Sequence, residues 1–219
     1  AEIYSFGQLP TLGLSARQSL YVQKLLLLPL CMDFDFSYLP LVKNYLHSDT
    51  NKQANIRALH ATNDHRVRVG LMCYAAKHEE AVHHVWARAM PDTVLAQLAK
   101  IDVQWVLIEP QCDAKMRRHA ADIMGAFDAS DHIDDFDDLA AWQSHCDLLI
   151  ALEGGAVHLA GALGVECWTI LRHPYCWRWP KQGDATRWYP SVRQFTHEGG
   201  WDKLAAELTI ALQDRYGYA

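Results

Sequence analysis

Glu153, Gly154, Gly155 and His158 lie in one short stretch between two apolar runs, 148–152 and 167–171. An acid, two glycines and a histidine in that setting suit one kind of chemistry. Glycine at the end of a buried strand lets a ligand approach the backbone closely. The helix that follows presents free N–H groups and a partial positive charge, which favour phosphate. A carboxylate just before that helix accepts two hydrogen bonds, which suits a sugar or ribose hydroxyl. His158 falls about one turn into the helix, within reach of a phosphate oxygen or a leaving group. The same residues also fit a plain strand-to-helix turn with Glu153 as its cap, and a short glycine motif alone does not separate the two.

Other residues offer chemistry further from this stretch. Lys77, His78 and Arg88 follow the first strong strand signal and can hold a diphosphate. His83 and His84 share that segment, but no pair of its histidines has the i, i+4 spacing of a zinc site. The acidic run from Asp128 to Asp138 lacks the glycine and terminal glutamate of a calcium loop, and reads as a solvated helix start. Trp177 either stacks on a base or packs into a corner with Arg178 and Trp179; Trp179 reads as the packed corner. No metal and no cofactor is expected. Cys31, Cys73, Cys112, Cys146, Cys167 and Cys176 form no C-x-x-C pair and read as reduced thiols, mostly buried.

The elements that must position these residues alternate. "RVRVGLMCY", "VQWVLIEP", "DLLIAL" and "ECWTIL" are apolar strands, with "HIDDF" and "VRQFT" as shorter ones. "PDTVLAQLAKI", "DAKMRRHAADIMG", "DDLAAWQSHC", "AVHLAGALG" and "WDKLAAELTIALQDRYG" are helices, the second ended by Gly125. Central strands apolar on both faces imply a parallel sheet covered by helices on each side. The expected fold is therefore α/β, a Rossmann-like domain over residues 66–219. Residues 1–65 read as an extension: a helix over 15–28 opened by Ser15 and stopped by Pro29, an irregular aromatic stretch, and a polar connector that is helical in part. Residues 1–60 offer a surface for a protein partner.

Bulk properties exclude several classes. The chain has 219 residues and a net charge of −6, so no basic excess draws in a nucleic-acid backbone. "LLLLPL" is far short of the roughly 20 apolar residues a membrane span needs. A cytoplasmic location is expected.

The sequence also resembles a family. Asp147 to Gly164 reads "DLLIALEGGAVHLAGALG", close to the D-L-V-I-S-V-D-T-A-V-A-H-L-A-G-A-L-G pattern of bacterial glycosyltransferases associated with tetratricopeptide repeats. These are related to heptosyltransferases and O-GlcNAc transferases. Trp177-Arg178-Trp179 matches the family's W-R-W, and residues 188–195 match its W-Y-P-S-x-R-x-F. Residues 66–90 are similar to its first strand and loop, with Arg88 at the arginine of R-S-I. Two positions depart. The family's Asp-Thr is Glu153-Gly154 here, and its W-S-G is Cys73-Tyr74-Ala75.

The resemblance implies the nucleotide-sugar half of a two-domain GT-B fold. It implies an inverting, metal-independent transfer from a nucleotide diphosphate sugar to a hydroxyl acceptor. Arg88, Lys77, His78, His158 and the Glu153–Gly155 turn would hold the donor, with Trp177 against its base. The general base of such enzymes comes from the other domain, and no residue of this chain is assigned to it. The alternative is a glycosyltransferase-like domain that has lost catalysis and serves as a binding or structural subunit of a larger assembly.

Overall fold

A computed structural model describes residues 44–61, 64–74, 89–171, 179, 186 and 188–217. The chain divides into two compact units, Ala1–Pro40 and Leu41–Ala219. The helix expected over 15–28, together with Lys77, His78, His83, His84, Arg88, Trp177 and Arg178, lies outside the described residues.

The second unit is built on one sheet. Its strands are β1 (Arg68–Met72), β2 (Gln104–Leu107), β3 (Phe127–Asp128), β4 (Leu148–Leu152), β5 (Cys167–Leu171) and β6 (Val192–Thr196). They lie in the order β3-β2-β1-β4-β5-β6, and every neighbouring pair is parallel. The helices are α1 (Thr50–Leu59), α2 (Asp92–Leu98), α3 (Ala114–Met124), α4 (Phe136–His145), α5 (Gly155–Leu163) and α6 (Trp201–Tyr216). The architecture is the Rossmann-like α/β sheet that the strand-helix alternation implies.

Period-two burial explains why the sheet is covered on both sides. Along β4, Leu148, Ile150 and Leu152 face one core, packed with Leu95 and Leu98 of α2 and Leu204, Leu208 and Leu212 of α6. Leu149 and Ala151 face the other, with Trp142 of α4 and Val157 and Ala160 of α5. All five residues of β4 are buried. Each fully buried leucine or isoleucine stabilises the fold by roughly 1.5–3 kcal/mol. A single polar substitution on β4 therefore disturbs one of two cores, whichever position it takes.

Helix ends follow the local chemistry. Gly125 closes α3 with φ 59°, a left-handed conformation that glycine enters without the Cβ clash. Asp135 opens α4, its carboxylate accepting the N–H groups of Asp137 and Asp138. That cap corrects one sequence expectation. "HIDDF" is no strand: residues 130–132 form a 3₁₀ turn, and the acids that follow start α4. The third strand lies earlier, at Phe127–Asp128, where a two-residue pairing leaves no alternating pattern to read. The polar connector holds α1, which packs on α4. Only Ile56 of α1 is buried, so little apolar periodicity marks it. Asp49 caps it, and Lys52 reaches Asp135 and Asp138 at 2.9 and 2.7 Å.

Candidate functional site at the carboxyl edge

Strand order determines where a ligand can sit. From β1 the chain crosses to β2 on one side, and from β4 to β5 on the other. The carboxyl ends of β1 and β4 therefore flank a topological switch point, where helices on opposite faces leave a crevice. Met72 pairs with Ala151 in register, so Cys73 and Tyr74 leave β1 beside the point where Leu152 and Glu153 leave β4.

The turn after β4 is open. The Glu153 N–H donates to the carbonyl of Ile170 at 3.1 Å, which extends the β4–β5 ladder by one residue. Gly154 then has φ 176° and ψ −176°, extended backbone that any residue adopts. It is the N-cap of α5 and provides no side-chain cap. Among the described residues, a Cβ placed on Gly155 meets nothing within 4 Å, so the start of α5 is open at that position. The Val157 N–H already donates to the Gly154 carbonyl at 3.2 Å, which leaves the amides of Gly155 and Ala156 as the donors a helix start at a switch point can offer to an anion.

His158 occupies a different setting. Its ring lies against Trp179, with centroids 5.2 Å apart and planes 14° apart. Its Nδ1 is 3.2 Å from the Tyr189 hydroxyl. Trp179 is 2% exposed, the packed corner expected of it. Tyr189 also lies over Gly161, one turn along α5, where any Cβ would strike its ring. The H-L-A-G and W-Y-P segments thus meet face to face: the glycine makes room for the ring, and the histidine shares a hydrogen bond with its hydroxyl. From α4, the fully buried Gln143 donates its amide N–H to the Ala156 carbonyl at 3.1 Å, tying the first turn of α5 to the layer behind it.

One residue of this edge escaped the sequence reading. Glu109 follows β2 and is only 4% exposed. Its Oε1 accepts the Tyr74 N–H at 2.7 Å, so β2 grips the end of β1. Its own N–H donates to Ser130 Oγ at 2.8 Å, and the Ser130 N–H donates to Asp128 Oδ1 at 3.0 Å. Arg117 pairs with Asp128 and Asp131 at 3.4 and 2.6 Å. A polar chain therefore runs along the edge from β3 to β1. Burial pushes the Glu109 carboxyl up to about 8; the N–H groups of Tyr74 and Cys73 and the Cys73 thiol pull it down, and Asp128 adds to the rise. The available signal was a lone acid directly after an all-apolar strand, in "VLIEP".

Tyr74 and Ala89 form an antiparallel bridge, and the Met90 N–H donates to the Cys73 carbonyl at 2.9 Å. Glu153, Gly154 and Gly155 stand together on the turn after β4, and His158 stands one turn on, held by Trp179 and Tyr189. Among the described residues, no group of three or more His, Cys, Asp or Glu is placed to hold a metal ion. Among them, too, no helix is long and apolar enough to cross a membrane.

No family model matches the chain. Over 83 residues it is 34% identical to the protein FlbA of Caulobacter vibrioides, a match covering 36% of this chain and 13% of FlbA. Its fold is similar to that of a family 9 glycosyl transferase from Veillonella parvula, with a TM-score of 0.57 and 14% identity over 78% of this chain and 53% of that one. It is also similar to the ADP-heptose lipopolysaccharide heptosyltransferase II of E. coli, with a TM-score of 0.51 and 17% identity over 80% of this chain and 55% of that one. The chain spans about half the length of these two structures and a small part of FlbA. What the two solved structures share with it is the fold, a parallel Rossmann-like sheet like that of these GT-B type glycosyltransferases.

Proposed function

We propose that this chain binds a nucleotide diphosphate sugar at the β1/β4 switch point and is the donor half of an inverting glycosyl transfer to a hydroxyl acceptor. The observation that carries this reading is the open, uncapped first turn of α5 at that switch point, with Glu153 before it. The diphosphate would lie against the α5 amides, and Glu153 would accept from a sugar or ribose hydroxyl. Lys77, His78 and Arg88 are proposed to supply positive charge, and Trp177 a face for the base.

In the transfer, the acceptor oxygen bonds to the anomeric carbon as the bond to the diphosphate oxygen breaks. The electron pair leaves with the nucleoside diphosphate, and the acceptor proton goes to a general base. Amide dipoles and cationic side chains stabilise the leaving charge where it develops, so no metal is needed for that role. The base and the acceptor surface are proposed to come from outside residues 66–219, either from a partner docked through residues 1–60 or from further chain. A cytoplasmic setting belongs to the same proposal.

A second reading is favoured by the engagement of His158 with Trp179 and Tyr189. There the motif is a packing device, and the chain is a binding or structural subunit without catalysis. Calorimetric titration of UDP, GDP and ADP into the wild type, Gly154→Val and His158→Ala separates the two. Among the described residues, a Cβ on Gly154 meets only the Leu152 carbonyl, at 3.8 Å, so Gly154→Val is expected to keep the fold, which circular dichroism checks. On the donor reading it abolishes nucleotide binding, and His158→Ala weakens binding by about 1.5–3 kcal/mol, the value of a hydrogen bond to a charged group. No heat with the wild type for any of the three selects the subunit reading.

A further inference from the structure

We propose that Glu109 is a positioning residue of the nucleotide site: through the Tyr74 N–H it fixes the carboxyl end of β1 beside the turn that follows β4. The inference rests on the donor reading of that edge. Three features of the structure carry it.

The first is geometric. Glu109 belongs to the chain after β2, yet its carboxyl accepts at 2.7 Å the N–H of Tyr74, two residues past β1 and bridged to Ala89. The second is its support. Ser130 holds the Glu109 backbone from the β3 side, and Asp128, itself paired with Arg117, holds Ser130. The third is burial. A side chain 4% exposed at the rim of an open edge is shielded from solvent and turned toward the strand end.

Burial also gives the site a pH dependence. The groups facing Glu109 are Cys73 and Tyr74 from β1, Cys112 from the turn after β2, and Asp128 from β3. The Cys73 and Cys112 thiols are both pushed up, chiefly by burial, and so stay neutral near pH 8. Asp128 opposes ionisation of Glu109. The neutral carboxyl can still accept the Tyr74 N–H through its carbonyl oxygen. Once ionised above pH 8, it places a buried negative charge at the end of β1, the strand that pairs directly with β4. A bound diphosphate disfavours that charge, so ionisation of Glu109 and diphosphate binding oppose each other.

The test uses Glu109→Gln and Glu109→Ala in the full chain. Gln keeps an acceptor for Tyr74 and cannot ionise; Ala removes the acceptor. Affinity for UDP, GDP and ADP is measured from pH 6.5 to 9.5, and amide exchange of Tyr74 is followed in the free protein. The expected result has three parts. Glu109→Ala weakens binding at least tenfold and speeds Tyr74 exchange. Glu109→Gln binds like the wild type near neutral pH. Wild-type affinity falls roughly fivefold above pH 8, a step that Glu109→Gln lacks. Should Glu109→Ala fail to fold, the pH profiles of wild type and Glu109→Gln decide. Unchanged affinity and a still-protected Tyr74 amide in Glu109→Ala, or identical pH profiles for wild type and Glu109→Gln, overturn the role of Glu109 alone. Failure of the wild type to bind any of the three nucleotides overturns the donor reading instead, and with it the part Glu109 plays in it, while Tyr74 exchange still reports whether Glu109 anchors β1.

Discussion

His158 and Trp179 lie flat against each other, ring centroids 5.2 Å apart and planes 14° apart, although they come from α5 and from the chain beyond β5. The stack joins the helix of the candidate site to the corner over the outer strands. Trp179 is almost wholly buried, so its removal leaves a large void. Trp179→Ala should destabilise the unit by about 3–5 kcal/mol. Urea denaturation checks this, and a loss below 1 kcal/mol would mean the corner is not part of the cooperative fold.

Gly161 and Tyr189 make a second such pair. Alanine is the better helix former by about 1 kcal/mol, so helix propensity alone favours Gly161→Ala. The added Cβ, however, strikes the Tyr189 ring. Overpacking of this kind costs about 1–3 kcal/mol, and it should win. Gly161→Ala is expected to lower stability in the wild-type background and to cost less, or to stabilise, in Tyr189→Ala. A double-mutant cycle reads the difference. Additive effects would show that the ring does not need the glycine.

Glu109 should impose a pH dependence on stability. Its carboxyl titrates at about 8 in the fold and at its ordinary value of 4.5 in the unfolded chain. Between those values the folded state holds a proton that the unfolded state has lost. Stability is therefore full below pH 4.5 as far as this group is concerned, and falls as pH rises toward 8, by up to about 1.4 kcal/mol per pH unit. Glu109→Gln should flatten that slope. Denaturant midpoints measured across the range test it, and parallel profiles for the two proteins would remove Glu109 as the cause.

The amino edge of the sheet should respond in the opposite sense. There a cavity of about 470 Å³ is lined in part by Arg57, His60, Arg68, His145 and Asp147. His60 Nδ1 and His145 Nε2 are 3.1 Å apart, so one ring donates and the other accepts. Burial first, and the Arg68 guanidinium second, push His145 down to about 4 and His60 in the same direction. His145 stays neutral in the fold down to about 4, while in the unfolded chain it takes up a proton below the ordinary value of 6.5. The His145 contribution is present above pH 6.5 and is lost as pH falls toward 4, and His60 acts in the same sense. His145→Gln should flatten this acid limb, as chemical denaturation at pH 4.5, 5.5 and 6.5 will show.

The sequence by itself determined the layers. Apolar runs buried on both faces can exist only in a covered parallel sheet, and Gly125 and the amphipathic last helix mark their elements through local backbone and periodicity rules. It also carried the Glu153–Gly155 turn, because glycines after a buried strand are a local signal. What it did not carry depends on contacts between distant segments. The strand order, which makes the ends of β1 and β4 neighbours, follows from how helices pack across the sheet and leaves no local trace. The third strand was missed because two paired residues create no pattern, and α1 was understated because its surroundings are polar. The hold of Tyr189 and Trp179 on His158 arises only when α5 meets the chain beyond β5. Glu109 became a candidate in the same way. An acid after an apolar strand is ordinary in sequence, and only the approach of β1 gives its buried carboxyl the Tyr74 N–H as a partner.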